Sequence, residues 1–319
     1  MQKIDIMAGM EGQHIATSVF LPDDLQNRSP ILVFASPGGG YARGYFDIQI
    51  DVTYSQAEHH ASRNIIFVAY DHLGVGDSDK QDIDRLSIED IATANHNAVM
   101  DVTRRLREGT LIDGLPATNP RASIGIGQSM GGGVTMIMQA KHRSFDAYAG
   151  LGWSAIQSVL PQKAADVRDA IKQMSSSLGR NSDIDTLETA RHIRQDFDYR
   201  YPFHWDDVPD EIIRADLGVG FPTRTTPVPW GSMSMPRCVA AMRGPGYVTQ
   251  EAAMIDVPVL MAFGERDVSE YPWAEASAFP RCRDFTLFIA PAMAHMHNFA
   301  STRQLFWDRL VRWYHSVAP

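Results

Sequence analysis

The residues Gly127-Gln128-Ser129-Met130-Gly131 follow a short apolar run, Ala122 to Ile126, and lead through Gly132-Gly133 into a helix-like stretch, Val134 to Lys141. A serine with glycines two before and two after it, at a strand-to-helix turn, has the pattern of an exposed nucleophile. The backbone must turn sharply there, and a Cβ at either flanking position would strike the neighbouring strand or helix. Such a turn lifts the Ser129 hydroxyl clear of the sheet and aims the first helical amides toward it. A plain glycine-rich turn carrying a solvated serine would read the same way in isolation, so the partners decide.

A serine hydroxyl is a poor nucleophile near neutral pH. It needs a base within hydrogen-bond reach, a group that orients the base, and donors for the oxyanion that forms. For the orienting acid, Phe263 ends an apolar strand and Gly264-Glu265-Arg266-Asp267 follows. That position lies at the carboxyl edge of the sheet, where open α/β sheets bind ligands. Asp267 is the expected acid and Glu265 the second choice.

For the base, the last strand runs to Ala290-Pro291, and the loop Ala292-Met293-Ala294-His295-Met296-His297-Asn298 carries two histidines. Their spacing alone does not choose between them. His295, preceded by a small-x-small run that lets the loop pass close to the centre, is the expected base, with His297 as competitor. The pair has no third ligand at metal-binding spacing, so no metal is expected. His72, in the turn after a strand, and His204 are placed to line a pocket; the other histidines, His192 among them, are expected to be surface or satisfied side chains. The Met130 amide is one expected oxyanion donor. The second is expected from Gly38 or Gly39, in the Gly38-Gly39-Gly40 run after the first central strand.

The elements that would position these groups alternate. Lys3 to Met7 and His14 to Leu21 read as a hairpin around Gly9 and Gly12. Buried strands are expected at Ile31 to Ala35, Ile65 to Tyr70, Ala122 to Ile126, Ala147 to Trp153, Val257 to Phe263 and Phe285 to Ile289. Helices are expected at Val52 to Ser62, Ser87 to Glu108 with Ser87 as N-cap, and Thr302 to His315. This is an α/β chain with a mostly parallel sheet covered on both faces. From Ser154 to Ala253 the rhythm breaks into helical patches, such as Ala164 to Met174 and Asp185 to Gln195, and Pro-, Trp- and Met-bearing loops. The expected organisation is a core of residues 1–153 and 254–319 with an inserted cap of residues 154–253. Phe203, Trp205, Trp230, Met233, Met235 and Met242 either wall an apolar pocket or form the insertion's own small core. On the first reading Trp205, Trp230 and Met233 touch substrate.

The 319 residues are 44% hydrophobic and 21% charged, and the net charge of −9 with no Lys/Arg run argues against nucleic-acid binding. No apolar stretch reaches bilayer length, and the first residues lack a signal-peptide core. Cys238 and Cys282 stand in no metal or redox spacing. A cytoplasmic protein without cofactor is expected, and a homodimer is left open.

Taken together, Gly127 to Gly132, the run Tyr70-Asp71-His72-Leu73-Gly74-Val75-Gly76-Asp77-Ser78, Gly264 to Asp267 and Ala294-His295 resemble the α/β-hydrolase-fold serine hydrolases, in the family order of nucleophile, acid and histidine. The resemblance covers about residues 10–155 and 255–316. It implies attack of Ser129 on a carbonyl carbon, with His295 as base and Asp267 as its orienter. A serine nucleophile also excludes the family's aspartate-dependent haloalkane dehalogenases and most epoxide hydrolases. Two departures stand out: Ser36-Pro37-Gly38 replaces a frequent His-Gly, and Ala294 stands where glycine is usual. The expected reaction is hydrolysis of a small apolar carboxylic ester. Lactone, thioester, amide or carbon–carbon bond cleavage, acyl transfer, and a non-catalytic receptor remain alternatives on the same fold.

Overall fold

The computed structural model describes residues 1–25, 29–193, 198–218, 220–221 and 224–318, without the side chains of residue 184 and residues 190–193. Gln195, at the end of one expected helix, and the His192 side chain lie outside the described residues.

Strands β1 (Gln2–Met10) and β2 (Gln13–Leu21) form the expected antiparallel hairpin, and Gly12 turns it with a φ of 76°. β2 lies antiparallel to β4 (Ile65–Tyr70), and from there the sheet is parallel. It continues through β3 (Ile31–Ser36), β5 (Ala122–Gln128), β6 (Ala147–Leu151), β7 (Val259–Arg266) and β8 (Phe285–Ala294), in the order β1-β2-β4-β3-β5-β6-β7-β8. The central strands are apolar throughout because both faces are covered. In β4, Ile66, Val68 and Tyr70 join one hydrophobic cluster while Ile65, Phe67 and Ala69 join the other, as the period of two requires. The first cluster receives α2 (Ile88–Glu108) and α3 (Met130–His142); the second receives α1 (Gln56–Ala61) and α9 (Arg303–Val317).

Local signals explain where the helices begin. Ser87 caps α2 in a reciprocal box with Asp90, and Gly109 closes it in the left-handed region at φ 68°. Helix α1 starts four residues later than the pattern at Val52 suggested. Asp51 accepts from both the amide and hydroxyl of Thr53, closing a turn, and Ser55 then provides the cap. Strand β8 runs past Pro291 to Ala294. It lies at the sheet edge, where a missing amide hydrogen costs no ladder bond. That extension brings His295 to the carboxyl edge directly off a strand end.

Between β6 and β7 lie α4 (Ala165–Ser176), α5 (Ile184–Ile193), α6 (Arg200–Phe203), α7 (Asp210–Leu217), a short 3-10 helix at Arg237–Arg243 and α8 (Thr249–Ala252). The later part of this segment is stitched to the strand-end loops. Ala42 N–H donates to Trp230 O at 3.0 Å, Ser232 N–H to Gly40 O at 3.0 Å, and Met296 N–H to Phe203 O at 2.9 Å. No helix among the described residues is long and apolar enough to cross a membrane.

Candidate active site

Ser129 sits between β5 and α3 with φ 52° and ψ −124°, a conformation costly for a residue with a Cβ. The turn is held by Ser129 N–H to Leu151 O at 2.8 Å and Gly132 N–H to Ser129 O at 2.8 Å. A Cβ at Gly127 would run into the Gly131 backbone, and one at Gly131 into the carbonyls of Ser36 and Pro37. The small residues are therefore a steric requirement of the turn.

His295 Nε2 lies 2.9 Å from Ser129 Oγ, and its Nδ1 lies 2.7 Å from Asp267 Oδ1. Three groups from widely separated parts of the sequence thus form one chain of hydrogen bonds. His297 occupies the other carboxylate oxygen, with Nε2 at 2.8 Å from Asp267 Oδ2. The amides of Gly264 and Val268 also donate to Asp267, at 2.9 and 2.8 Å. Burial by itself pushes the Asp267 carboxyl up. The charge of His295 and the hydrogen bonds from both histidines outweigh it, and hold the carboxyl well below the usual carboxylate range. Asp267 therefore stays ionised across neutral pH. Glu265 faces away and accepts from Ala292 N–H at 2.9 Å on the exposed rim.

No acceptor within the described residues is recorded for the amides of Met130, Gly38 or Gly39. Met130 is the first residue of α3, where an amide has no partner inside the helix. Gly38 approaches closest: a Cβ there would overlap Gln128 Oε1 and come within 3.1 Å of Ser129 Cβ. Gly39 faces Met235, Val239 and the Met130 thioether instead.

The loop below is braced by a histidine. His72 is fully buried, with Nε2 at 2.9 Å from Pro37 O and Nδ1 at 2.9 Å from Asn95 Nδ2. Burial pushes it down to about 4 from an ordinary value of 6.5, so it is neutral and donates from Nε2. A depressed value means that the unfolded chain takes up the proton first. Its contribution is present above about pH 6.5 and is lost progressively as pH falls toward 4, on the order of 3 kcal/mol at the limit. Denaturant unfolding at pH 7 and pH 4.5 should show a smaller acid loss in His72→Gln than in the native chain. Equal losses would remove His72 from that account.

No protein-family model matches the sequence, and no curated protein is a significant match to it. By structure, the chain is similar to a soluble variant of monoglyceride lipase from Saccharomyces cerevisiae (TM-score 0.63, 14% identity, covering 100% of this chain and 95% of that one). It is also similar to a proline iminopeptidase from Mycobacterium smegmatis (TM-score 0.62, 17% identity, 99% of each chain) and to a thermophilic esterase from Thermogutta terrifontis (TM-score 0.56, 14% identity, 100% of each chain). The chain has the α/β-hydrolase fold.

Within this α/β-hydrolase fold, a small cavity of about 60 Å³ opens on Ser129 and His295. Its walls include Met130 and Trp153 from the sheet side and Leu160, Ile171, Phe203 and Met242 from the segment between β6 and β7. The expected substrate contacts Trp205, Trp230 and Met233 are not there. The Trp205 ring lies under Arg266, with the guanidinium 4.6 Å from its centroid. Trp230 is buried and donates to Asp216 Oδ1 at 3.0 Å. Met233 is half exposed in a separate polar hollow beside Arg43 and Asp77. Composition identifies the segment's large side chains, but helix phase and loop path decide which of them, here Phe203 and Met242, face the cavity. His72 and His204 do not line it either.

Two close neighbours of the site, Gln128 and Gly152, were not foreseen, and His297, expected only as a competing base, is a third contact. Gln128 donates from Nε2 to His295 O at 3.1 Å. His297 shares Asp267. Gly152, at φ 60°, presents its Cα to both, so that a Cβ would lie 3.0 Å from His295 Nδ1 and 3.1 Å from Asp267 Oδ2. The signal for Gly152 was present as a glycine immediately after a strand that neighbours the elbow. Gly152→Ala should destabilise the fold by about 1–2 kcal/mol through the left-handed backbone alone. It should also lower turnover by displacing His295 from Asp267. A variant with native melting temperature and native activity would show the crowding to be harmless.

Proposed function

We propose that the protein is a serine hydrolase that cleaves a small, apolar carboxylic ester through an acyl-Ser129 intermediate. The hydrogen-bonded series Ser129, His295, Asp267 at the carboxyl edge of the sheet carries this reading. As Ser129 Oγ attacks the ester carbon, His295 Nε2 takes its proton. Asp267 holds Nδ1–H and stabilises the imidazolium without itself being protonated. The tetrahedral oxyanion is received by the amides of Met130 and of the Gly38–Gly39 loop, for which no acceptor among the described residues is recorded. His295 then gives the proton to the departing alcohol. In the second half a water molecule, deprotonated by His295, releases the acid and restores Ser129.

The segment 154–253 acts as the cap in this reading, since Leu160, Ile171, Phe203 and Met242 cover the nucleophile. So small a cavity, walled mostly by apolar side chains with Ser158, Ser175 and Arg243 also on its lining, favours a short acyl or alcohol group over a long chain. Burial of each additional methylene is worth about 0.8 kcal/mol only where there is room for it. Fold likeness to an esterase, a lipase and an iminopeptidase supports a hydrolytic reaction and leaves the bond to the cavity. A series of p-nitrophenyl esters tests it: kcat/KM should peak at acetate to butyrate and fall for octanoate and longer, while matched anilides turn over far more slowly. A peak at long chains, or anilides as good as esters, would overturn the ester assignment.

A further inference from the structure

Asp216, in α7, is fully buried and accepts four hydrogen bonds, which fill both carboxylate oxygens. Arg224 Nη2 at 2.9 Å and Trp230 Nε1 at 3.0 Å reach Oδ1; Tyr41 OH at 2.7 Å and His204 Nε2 at 3.0 Å reach Oδ2. None of these groups takes part in the chemistry above. Burying an ion pair is costly, and apolar side chains of similar volume would often serve stability as well. The partners suggest another use for the cluster, because each leads to a loop of the Ser129 site.

Tyr41 follows the glycine run directly, and its amide donates to Gly38 O at 3.1 Å. Arg224 donates from Nη1 to Gly40 O, and its guanidinium lies 4.6 Å from the Tyr41 ring centroid. The backbone amide of Ser232, two residues beyond Trp230, also binds Gly40 O, at 3.0 Å. On the other side, His204 continues the turn whose Pro202 and Phe203 carbonyls accept the amides of His295 and Met296, at 3.1 and 2.9 Å. One carboxylate therefore ties down the loop bearing the oxyanion amides and the loop bearing the base. These loops leave different strands, β3 and β8, and must be registered to one another within a fraction of an ångström.

We propose that Asp216 is a positioning residue for the Ser129 site, acting through Tyr41 and Arg224 on the Gly38–Gly39 loop and through His204 on the segment that receives His295. The proposal rests on Ser129 being the nucleophile. Burial by itself raises the Asp216 carboxyl, but His204, Arg224 and Tyr41 together hold it below its ordinary value, in keeping with a permanent anion at the hub. Asp216→Asn keeps the shape, removes the charge that Arg224 faces, and turns one acceptor into a donor. Tyr41→Phe removes a single hydroxyl from the oxyanion arm.

The test measures kcat per active site on p-nitrophenyl butyrate, with sites counted by fluorophosphonate titration and folding checked by circular dichroism. Asp216→Asn should lower kcat per titrated site about 100-fold, the scale of a misplacement near 1 Å. Tyr41→Phe should lower it about tenfold. KM should change far less than kcat in both, by less than about threefold, because neither substituted side chain lines the cavity. A residue that only stabilises the fold would reduce the number of titratable sites and the melting temperature, yet leave kcat per site unchanged. Folded variants with kcat per site within about twofold of native would overturn the inference. If Asp216→Asn does not fold, Tyr41→Phe decides alone. Ser129→Ala is measured beside them: turnover surviving in that variant rejects the nucleophile assignment. Loss there, with full kcat per site in the other two, rejects only the role of Asp216.

Discussion

Ser129→Ala should lose ester turnover by about 10⁴- to 10⁶-fold while folding as the native chain does, the scale seen when a unit of nucleophile and base is broken. The expectation follows from geometry. His295 Nε2 has its hydrogen-bond partner in Ser129 Oγ at 2.9 Å, and no other hydroxyl is recorded there among the described residues. Removing the oxygen leaves the amides of Met130 and Gly38 and the cavity in place, so residual rate should come only from binding and oxyanion stabilisation. The change relieves no backbone strain: alanine at φ 52° meets the same restriction as serine, so the melting temperature should move by no more than a few degrees. Steady-state kinetics on p-nitrophenyl acetate, with a melting curve, checks both parts. Activity above about a hundredth of native would mean that some other group attacks the substrate.

His295→Ala should be nearly as damaging, and His297→Ala much less so. The first removes the only recorded base on Ser129 Oγ among the described residues and the partner on Asp267 Oδ1. The second removes one hydrogen bond to Asp267 Oδ2, which keeps the Gly264 amide at 2.9 Å. A hydrogen bond to a charged group contributes about 1.5–3 kcal/mol, so His297→Ala should cost turnover roughly 10- to 100-fold at most. The deficit should appear in kcat with KM little changed, since His297 does not line the cavity. A larger loss from His297→Ala than from His295→Ala would exchange their roles.

Much of this arrangement was readable in the chain because the governing constraints are local. The glycine at 127 is demanded by a collision with the Gly131 backbone four residues on, whereas the one at 131 makes room for Ser36 and Pro37 of the neighbouring strand end, and the alternation of apolar strands and helices fixes a sheet covered on both faces. Asp267 and His295 could be named because each follows the end of a strand. What escaped depends on distant packing. The choice between His295 and His297 turns on β8 continuing through Pro291 and delivering one ring to Ser129 and the other to the back of Asp267. Trp205, Trp230 and Met233, which do not line the cavity at Ser129, share a composition with Phe203 and Met242, and only the fold separates those facing the cavity from those facing Arg266, Asp216 or solvent. Asp216 carried no signal at all: an aspartate in a short amphipathic helix reads as surface until Arg224, Tyr41, His204 and Trp230 close around it.

The most direct measurement is covalent. The native protein is treated with a fluorophosphonate, digested, and the modified peptide sequenced by mass spectrometry. The adduct is expected on Ser129 alone, formed at a rate that falls sharply in His295→Ala. An adduct on any other residue, or no adduct in a folded protein that still turns over esters, would contradict the assignment of Ser129 as the attacking group.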